Sequence, residues 1–216
     1  MATTLQAPIS AVIFDLDGTL TMPFALDFSN IRKEYNIQVG HDLLEAVHAL
    51  EDVTLRTLAM ASIEAEEHKG RNVMVVRPHV IELIRNCQEK NIKMALATRN
   101  TMTSIHSFLS LTGLHADVFS TIWTRDSMFR KPNGQVATTI CNDVFEMHVS
   151  NVLFVGDSTD DLYCAQSAGC QTCIVDTTAN AHLSDLCDYF VQDMIQLGNI
   201  VHQNNAVSCP TNLSGH

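Results

Sequence analysis

Apolar runs of a few residues recur along this chain, and each closes on polar residues. The clearest are Ala11-Val12-Ile13-Phe14, Ile92-Lys93-Met94-Ala95-Leu96-Ala97 and Asn151-Val152-Leu153-Phe154-Val155. Val118-Phe119-Ser120-Thr121-Ile122-Trp123, Gln171-Thr172-Cys173-Ile174-Val175-Asp176 and the shorter Tyr189-Phe190-Val191 follow the same form. Near-continuous apolar runs of this length predict strands buried on both faces, as in a parallel sheet. Between them, apolar residues return at helical spacing, as in Val80, Ile81, Leu83 and Ile84 after Pro78. Further helices are predicted over 101–111, 135–145, 158–169 and 193–200. Strands alternating with helices predict an α/β fold: a Rossmann-like, three-layer core with a parallel sheet and right-handed crossovers.

One interval breaks that alternation. From Asp27 to about Gly70 the pattern is helical throughout. Asp27–Tyr35 predicts a short helix, and Gly40-His41-Asp42 opens a second with Leu43, Leu44, Val47 and Leu50 at helical spacing. A third is predicted over Val53–His68, with Leu55, Leu58, Ala59, Ser62 and Ile63 on one side and Gly70 as its stop. The expected organisation is therefore an α/β core from residues 1–20 and 77–200, a small all-helical insertion over 21–76, and a polar, mobile tail over 201–216.

Composition narrows the class. Of 216 residues, 46% are hydrophobic and 17% charged, which is a globular balance with room for one good-sized domain. No apolar run reaches membrane-spanning length, and Met1–Ser10 lacks the basic and apolar regions of a signal peptide. A net charge of −11 without a basic cluster disfavours the phosphate backbone of nucleic acids. The seven cysteines are scattered. Cys170 and Cys173 form a lone Cys-x-x-Cys with no second pair, so buried reduced thiols in a cytoplasmic protein are expected.

The strand ends carry the candidate chemistry. Phe14 is followed by Asp15-Leu16-Asp17-Gly18-Thr19-Leu20. Residues two apart in a strand point to one face, which would put both carboxylates together. Gly18 lets the backbone bend around a bound group. Carboxylates this close need a cation or a shared proton, and Mg²⁺ is the simplest cation for oxygen ligands. Thr98 and Arg99 close the second long run, and Lys131-Pro132 precedes a helix. Gly156-Asp157-Ser158-Thr159-Asp160-Asp161 closes the fourth. Two readings stand for Asp161, a metal-supporting carboxylate and the partner of Ser158 in a capping box. In parallel sheets, ligands bind beyond the carboxyl ends of strands near a switch in strand order. Asp15, Thr98 and Asp157 all fall at such ends.

The block FDLDGTLT resembles the first motif of the haloacid dehalogenase superfamily of phosphohydrolases. Thr98, Lys131-Pro132 and Gly156-Asp157-Ser158-Thr159-Asp160-Asp161 are similar to its second, third and fourth motifs, in order. The resemblance implies Asp15 as nucleophile and Asp17 as general acid/base. It implies Gly18, Thr98, Arg99 and Lys131 around the phosphate, with Arg130 as an alternative cation. It implies Mg²⁺ held by Asp15, Asp157, Asp161 and the backbone carbonyl of Asp17. The helical insertion would be a short cap. The expected activity is hydrolysis of a small phosphate monoester, such as a phosphorylated metabolite, through an aspartyl-phosphate. A phosphoglycolate phosphatase is the nearest type. A phosphomutase of the same fold is the alternative; a 2-haloacid dehalogenase has no need of Asp17. Neither the physiological substrate nor the oligomeric state is readable from these residues.

Overall fold

The computed structural model describes residues 7–24 and 26–205. Six strands form one sheet: β1 (Ala11–Phe14), β2 (Lys93–Ala97), β3 (Thr121–Trp123), β4 (Val152–Gly156), β5 (Gln171–Val175) and β6 (Tyr189–Val191). Their order is β3-β2-β1-β4-β5-β6, and every pairing is parallel. The chain winds outward from β1 to β3, then returns to the other side of β1 with β4. The gap between β1 and β4 is thus where the strand order switches, the usual place for a ligand in such a sheet.

β1, β4 and β5 are buried along their whole lengths. Parallel strands covered on both faces leave no solvent side for a polar residue, hence the unbroken apolar runs of β1 and β4. Ala11, Ile13, Ala95, Ala97, Val152 and Phe154 share one core cluster with Val136 and Ala137 of α6 (Gln135–Thr139), and with Cys164 and Ala165 of α7 (Thr159–Ala168). Elsewhere α4 (Val80–Glu89) packs against β2 and against α8 (Met194–Asn205). α5 (Met102–Thr112) follows β2. The result is the predicted three-layer arrangement of helices around a parallel sheet.

Several bounds differ from those expected. Residues 116–118 form a tight helical turn, so only Thr121–Trp123 of the predicted third strand pairs with β2. The helix over 135 onward loosens into a wider turn at Ile140–Phe145. The last helix runs through Asn205, so the tail expected from 201 starts inside a helix; 206–216 lie outside the described residues.

The chain divides into two compact units, Phe24–Met74 and the remainder. The smaller holds α1 (Ser29–Glu34), α2 (Leu43–His48) and α3 (Val53–Asn72). Its core is Ile31, Ile37, Leu43, Val47, Ala59 and Ile63. The buried side of α3 is Ala59, Ile63, Glu67 and Gly70, whereas Leu55 and Leu58 are exposed. This keeps Ala59 and Ile63 from the face read from the sequence and corrects it at Leu55 and Leu58. Gly70 does not stop α3: a Cβ there would lie 2.6 Å from Phe24 and 2.7 Å from Leu26, so the glycine makes room for neighbouring side chains.

Candidate active site

β1 and β4 end flush. Phe14 is level with Val155, and the Asp15 N–H donates to the Val155 carbonyl at 2.8 Å. Beyond Asp15 the chain leaves the strand at once. Leu16–Leu20 form a wide turn closed by the Thr21 N–H on the Leu16 carbonyl at 3.0 Å. Period-two reasoning therefore fails for Asp17, which the turn carries to different partners from those of Asp15. Gly18 adopts φ +79° in that turn, and a Cβ on it would overlap the Asp157 carboxylate. Both the left-handed conformation and the close approach require glycine here.

The Lys131 ammonium sits between two carboxylates, donating to Asp15 Oδ1 at 2.5 Å and to Asp161 Oδ1 at 2.5 Å. The three side chains are 4%, 8% and 1% exposed, so water screens these charges little. Burial works against the Lys131 charge, but Asp15 and Asp161 outweigh it and hold the ammonium above its ordinary range. Burial pushes the Asp15 carboxyl well above its usual value; Lys131 opposes this, while Asp161 and Asp17 add to it. Asp157 is pushed up to about 6 by burial and then by Asp161, against Lys131 and Arg77. The ammonium thus keeps its charge beside these carboxyl groups.

Ligand oxygens of Asp15, Asp157 and Asp161 lie within 4.8 Å of one another. Three carboxylates facing one buried lysine leave an excess of negative charge that a divalent cation would relieve. A donor set made only of oxygens suits a hard cation such as Mg²⁺. The residues present therefore fit the metal that the sequence led us to expect.

Of the two readings left open for Asp161, the structure shows the capping box, and the same carboxylate also pairs with Lys131. Its Oδ2 accepts from the Ser158 hydroxyl at 2.6 Å, the Ser158 N–H at 3.1 Å and the Asp157 N–H at 3.2 Å. Ser158 in turn receives the Asp161 N–H, completing a capping box at the start of α7. The other oxygen, Oδ1, takes the lysine. A Cβ on Gly156 would overlap the Asp161 side chain, so this arrangement also depends on the glycine that ends β4.

Thr98, 5% exposed, stands two residues beyond Leu96, the β2 partner of Phe14. Its hydroxyl accepts the Asn100 N–H at 3.0 Å. Arg99 is half-exposed and pairs with Asp160 at 2.5 Å. The Thr19 hydroxyl is buried with no hydrogen-bond partner.

The sequence reading missed three residues. The Asn100 amide nitrogen donates to Asp17 Oδ2 at 2.8 Å. The buried Arg77 guanidinium donates to the Gly18 carbonyl at 2.6 Å and the Thr19 carbonyl at 3.0 Å. It thereby pins the turn after β1 from the point where the chain re-enters the α/β unit. Asn180 donates to the Asp157 carbonyl at 2.7 Å. A polar residue beside a strand end or a proline is too common to be singled out without the contact. Only Asn100, next to Thr98, lay where a signal could have been sought.

The haloacid dehalogenase-like hydrolase family profile matches residues 26–175, more than half of the chain. The chain is 25% identical over 208 residues to the pyrophosphatase PpaX of Oceanobacillus iheyensis, covering 89% of this chain and 97% of that one. It is 28% identical over 189 residues to a phosphoglycolate phosphatase of Thiobacillus denitrificans, covering 76% and 81%. Among solved structures, a hydrolase from Pseudomonas syringae superposes with a TM-score of 0.72 at 16% identity, covering 90% of this chain and 98% of that one.

Proposed function

The chain belongs to the haloacid dehalogenase-like hydrolase family and is a phosphohydrolase, and from that premise we propose that it cleaves small phosphate monoesters with the help of Mg²⁺. The observation that carries the reading is the buried Lys131 bridging Asp15 and Asp161, with Asp157 close enough to share a cation with both. A purely structural ion pair would need one carboxylate; two on one ammonium with a third close beside them are costly unless something positive binds.

In this reading Asp15 is the nucleophile. Its carboxylate oxygen forms a bond to phosphorus as the bond from phosphorus to the leaving oxygen breaks, giving an aspartyl-phosphate. Asp17 gives a proton to the departing alkoxide. It then takes one from the water that hydrolyses the intermediate, which regenerates Asp15 and releases phosphate. Lys131 remains protonated throughout and offsets negative charge on the phosphoryl oxygens and on Asp15. The Thr98 hydroxyl and the backbone N–H groups around Gly18 donate to the remaining oxygens, and Arg99 adds charge at the exposed side. Asp15, Asp157 and Asp161, with the Asp17 carbonyl, would hold Mg²⁺, which when bound supplies Lewis-acid neutralisation of the phosphate.

The helical insertion, residues 21–76, is assigned the part of a cap that selects among substrates. Relatives named for pyrophosphate and phosphoglycolate hydrolysis support a small, anionic substrate. The net charge of −11 disfavours nucleic acids and other polyanions. A cytoplasmic setting is supported by the free thiols of Cys87, Cys141, Cys164, Cys170, Cys173 and Cys187. No helix among the described residues is long and apolar enough to cross a membrane.

The test is hydrolysis of para-nitrophenyl phosphate and phosphoglycolate by the full chain, with added Mg²⁺ and after chelation. Turnover that is lost with chelator and restored by Mg²⁺ is expected. Full activity after exhaustive chelation would overturn the metal assignment, and no turnover of any ester under either condition would overturn the phosphatase reading.

A further inference from the structure

We propose that Asn100 is a positioning residue for Asp17, and that it sets how poor a leaving group the enzyme can expel. The proposal rests on the reading of Asp17 as proton donor given above.

All four polar groups of Asn100 are engaged. Its N–H donates to the Thr98 hydroxyl at 3.0 Å, and its carbonyl accepts the Arg125 N–H at 3.2 Å. Its side-chain oxygen accepts the Thr101 N–H at 2.8 Å and the Ser104 hydroxyl at 2.6 Å. Those two donors fix the orientation of the amide. A flipped side chain would turn its NH₂ onto the Thr101 N–H, so the nitrogen must face Asp17, where it donates to Oδ2 at 2.8 Å. Ser104 is fully buried on α5, so the anchor behind the amide is set in a helix that follows β2.

Asp17 needs such a partner. It lies in the wide turn after β1, next to the glycine at φ +79°, and its own backbone is extended at φ −79°, ψ 125°. No strand or helix fixes its side chain. A general acid works only with its oxygen within hydrogen-bond reach of the leaving atom. With Asn100 donating to Oδ2, the carboxyl group is held in one orientation for proton transfer. The clamp spans 83 residues of sequence and joins the turn after β1 to the end of β2. It therefore couples the proton donor to the strand end that carries Thr98.

The expected signature depends on the leaving group. General acid catalysis is worth roughly 10²–10⁴-fold, and it matters most when the departing oxygen is strongly basic. The ratio kcat/KM covers steps up to phosphoryl transfer, so it reports leaving-group departure and is blind to later hydrolysis of the intermediate. For Asn100→Ala we expect kcat/KM on phosphoglycolate to fall roughly 10–100-fold, and on para-nitrophenyl phosphate, whose leaving group departs unaided, by less than about threefold. Phenyl phosphate should fall between. Asn100→Asp supplies the decisive contrast. Its carboxylate can still accept from Thr101 and Ser104, so a role limited to starting α5 would survive. It presents an acceptor where Asp17 needs a donor, so the leaving-group defect should match that of Asn100→Ala or exceed it. Ser104→Ala, which loosens the anchor, should show the same pattern more weakly. Melting temperatures are recorded for all variants, and Asn100→Asp answers the question even if Asn100→Ala does not fold.

Asn100→Asp with wild-type ratios across the three esters would overturn the proposal, as would equal losses on all three. If Asp17→Asn shows the selective loss on phosphoglycolate and Asn100→Asp does not, Asp17 keeps its role and only the clamp is refuted. If wild-type protein cleaves none of the esters, the underlying phosphatase reading has failed and the clamp with it.

Discussion

The α/β unit and the helical unit bury apolar surface in different ways. In the α/β unit, β1, β4 and β5 are buried from end to end. A sheet covered on both faces expels polar groups to its strand ends, and there Asp15, Thr98 and Asp157 are found. The helical unit relies on Ile31, Ile37, Leu43, Val47, Ala59 and Ile63, and it leaves Val39, Val53, Leu55 and Leu58 exposed. Each of its helices buries one stripe and keeps a solvated face, so polar residues are spread along its length. Chemistry in this chain is concentrated because the sheet forces it to be; in the helical unit no such pressure acts.

The comparison is tested most severely at Asp15. Asp15→Asn should lower kcat by roughly three orders of magnitude or more while leaving the melting temperature nearly unchanged, since asparagine is almost isosteric but cannot form the acyl phosphate. Steady-state kinetics on protein free of wild-type enzyme checks this. A comparable loss from a helical-unit core substitution that still folds would break the proposed division between the two units.

Removing the ammonium comes next. Lys131→Met leaves Asp15 and Asp161 buried together without a counter-charge, which should cost about 3–5 kcal/mol in denaturant unfolding without divalent cations. Combining it with Asp15→Asn should destabilise by less than the sum of the two, because one of the stranded charges is gone. Strict additivity would mean that the lysine contributes through packing and not through charge.

Within the helical unit, Ile63→Ala should destabilise by about 2–4 kcal/mol. Leu58→Ala, on the exposed side of the same helix, should stay within about 0.5 kcal/mol. Hydrogen exchange of α3 in both variants sharpens the contrast, and equal effects would show that Leu58 is covered in solution. The smallest expected change is at the start of α3, where Asp52 accepts from the Thr54 N–H at 2.7 Å and the Leu55 N–H at 3.2 Å. Asp52→Ala should cost about 1 kcal/mol by thermal melting.

The strands were legible because an unbroken apolar run bounded by polar residues has few other solutions. The third strand was only half legible: nothing local in Val118–Trp123 says that 116–118 will curl and shorten it. The buried face of α3 was legible at Ala59 and Ile63 but not at Leu55 and Leu58, because helical period alone does not say which turns a neighbour covers. Asp161 was left with two readings because the capping box is local, whereas its contact with Lys131 is not.

By itself, then, the sequence determined where strands end and which polar residues stand there, since both follow from periodicity and turn chemistry within a few residues. Which of those residues meet was decided only by tertiary structure. Lys131 reaches Asp15 across 116 residues and Asn100 reaches Asp17 across 83. Arg77 reaches the Gly18 carbonyl across 59. The Asn100 contact exists because β2 flanks β1 in the sheet order and brings their ends side by side. Local spacing carries no trace of that order, because a strand's own pattern is satisfied by any neighbour that buries it.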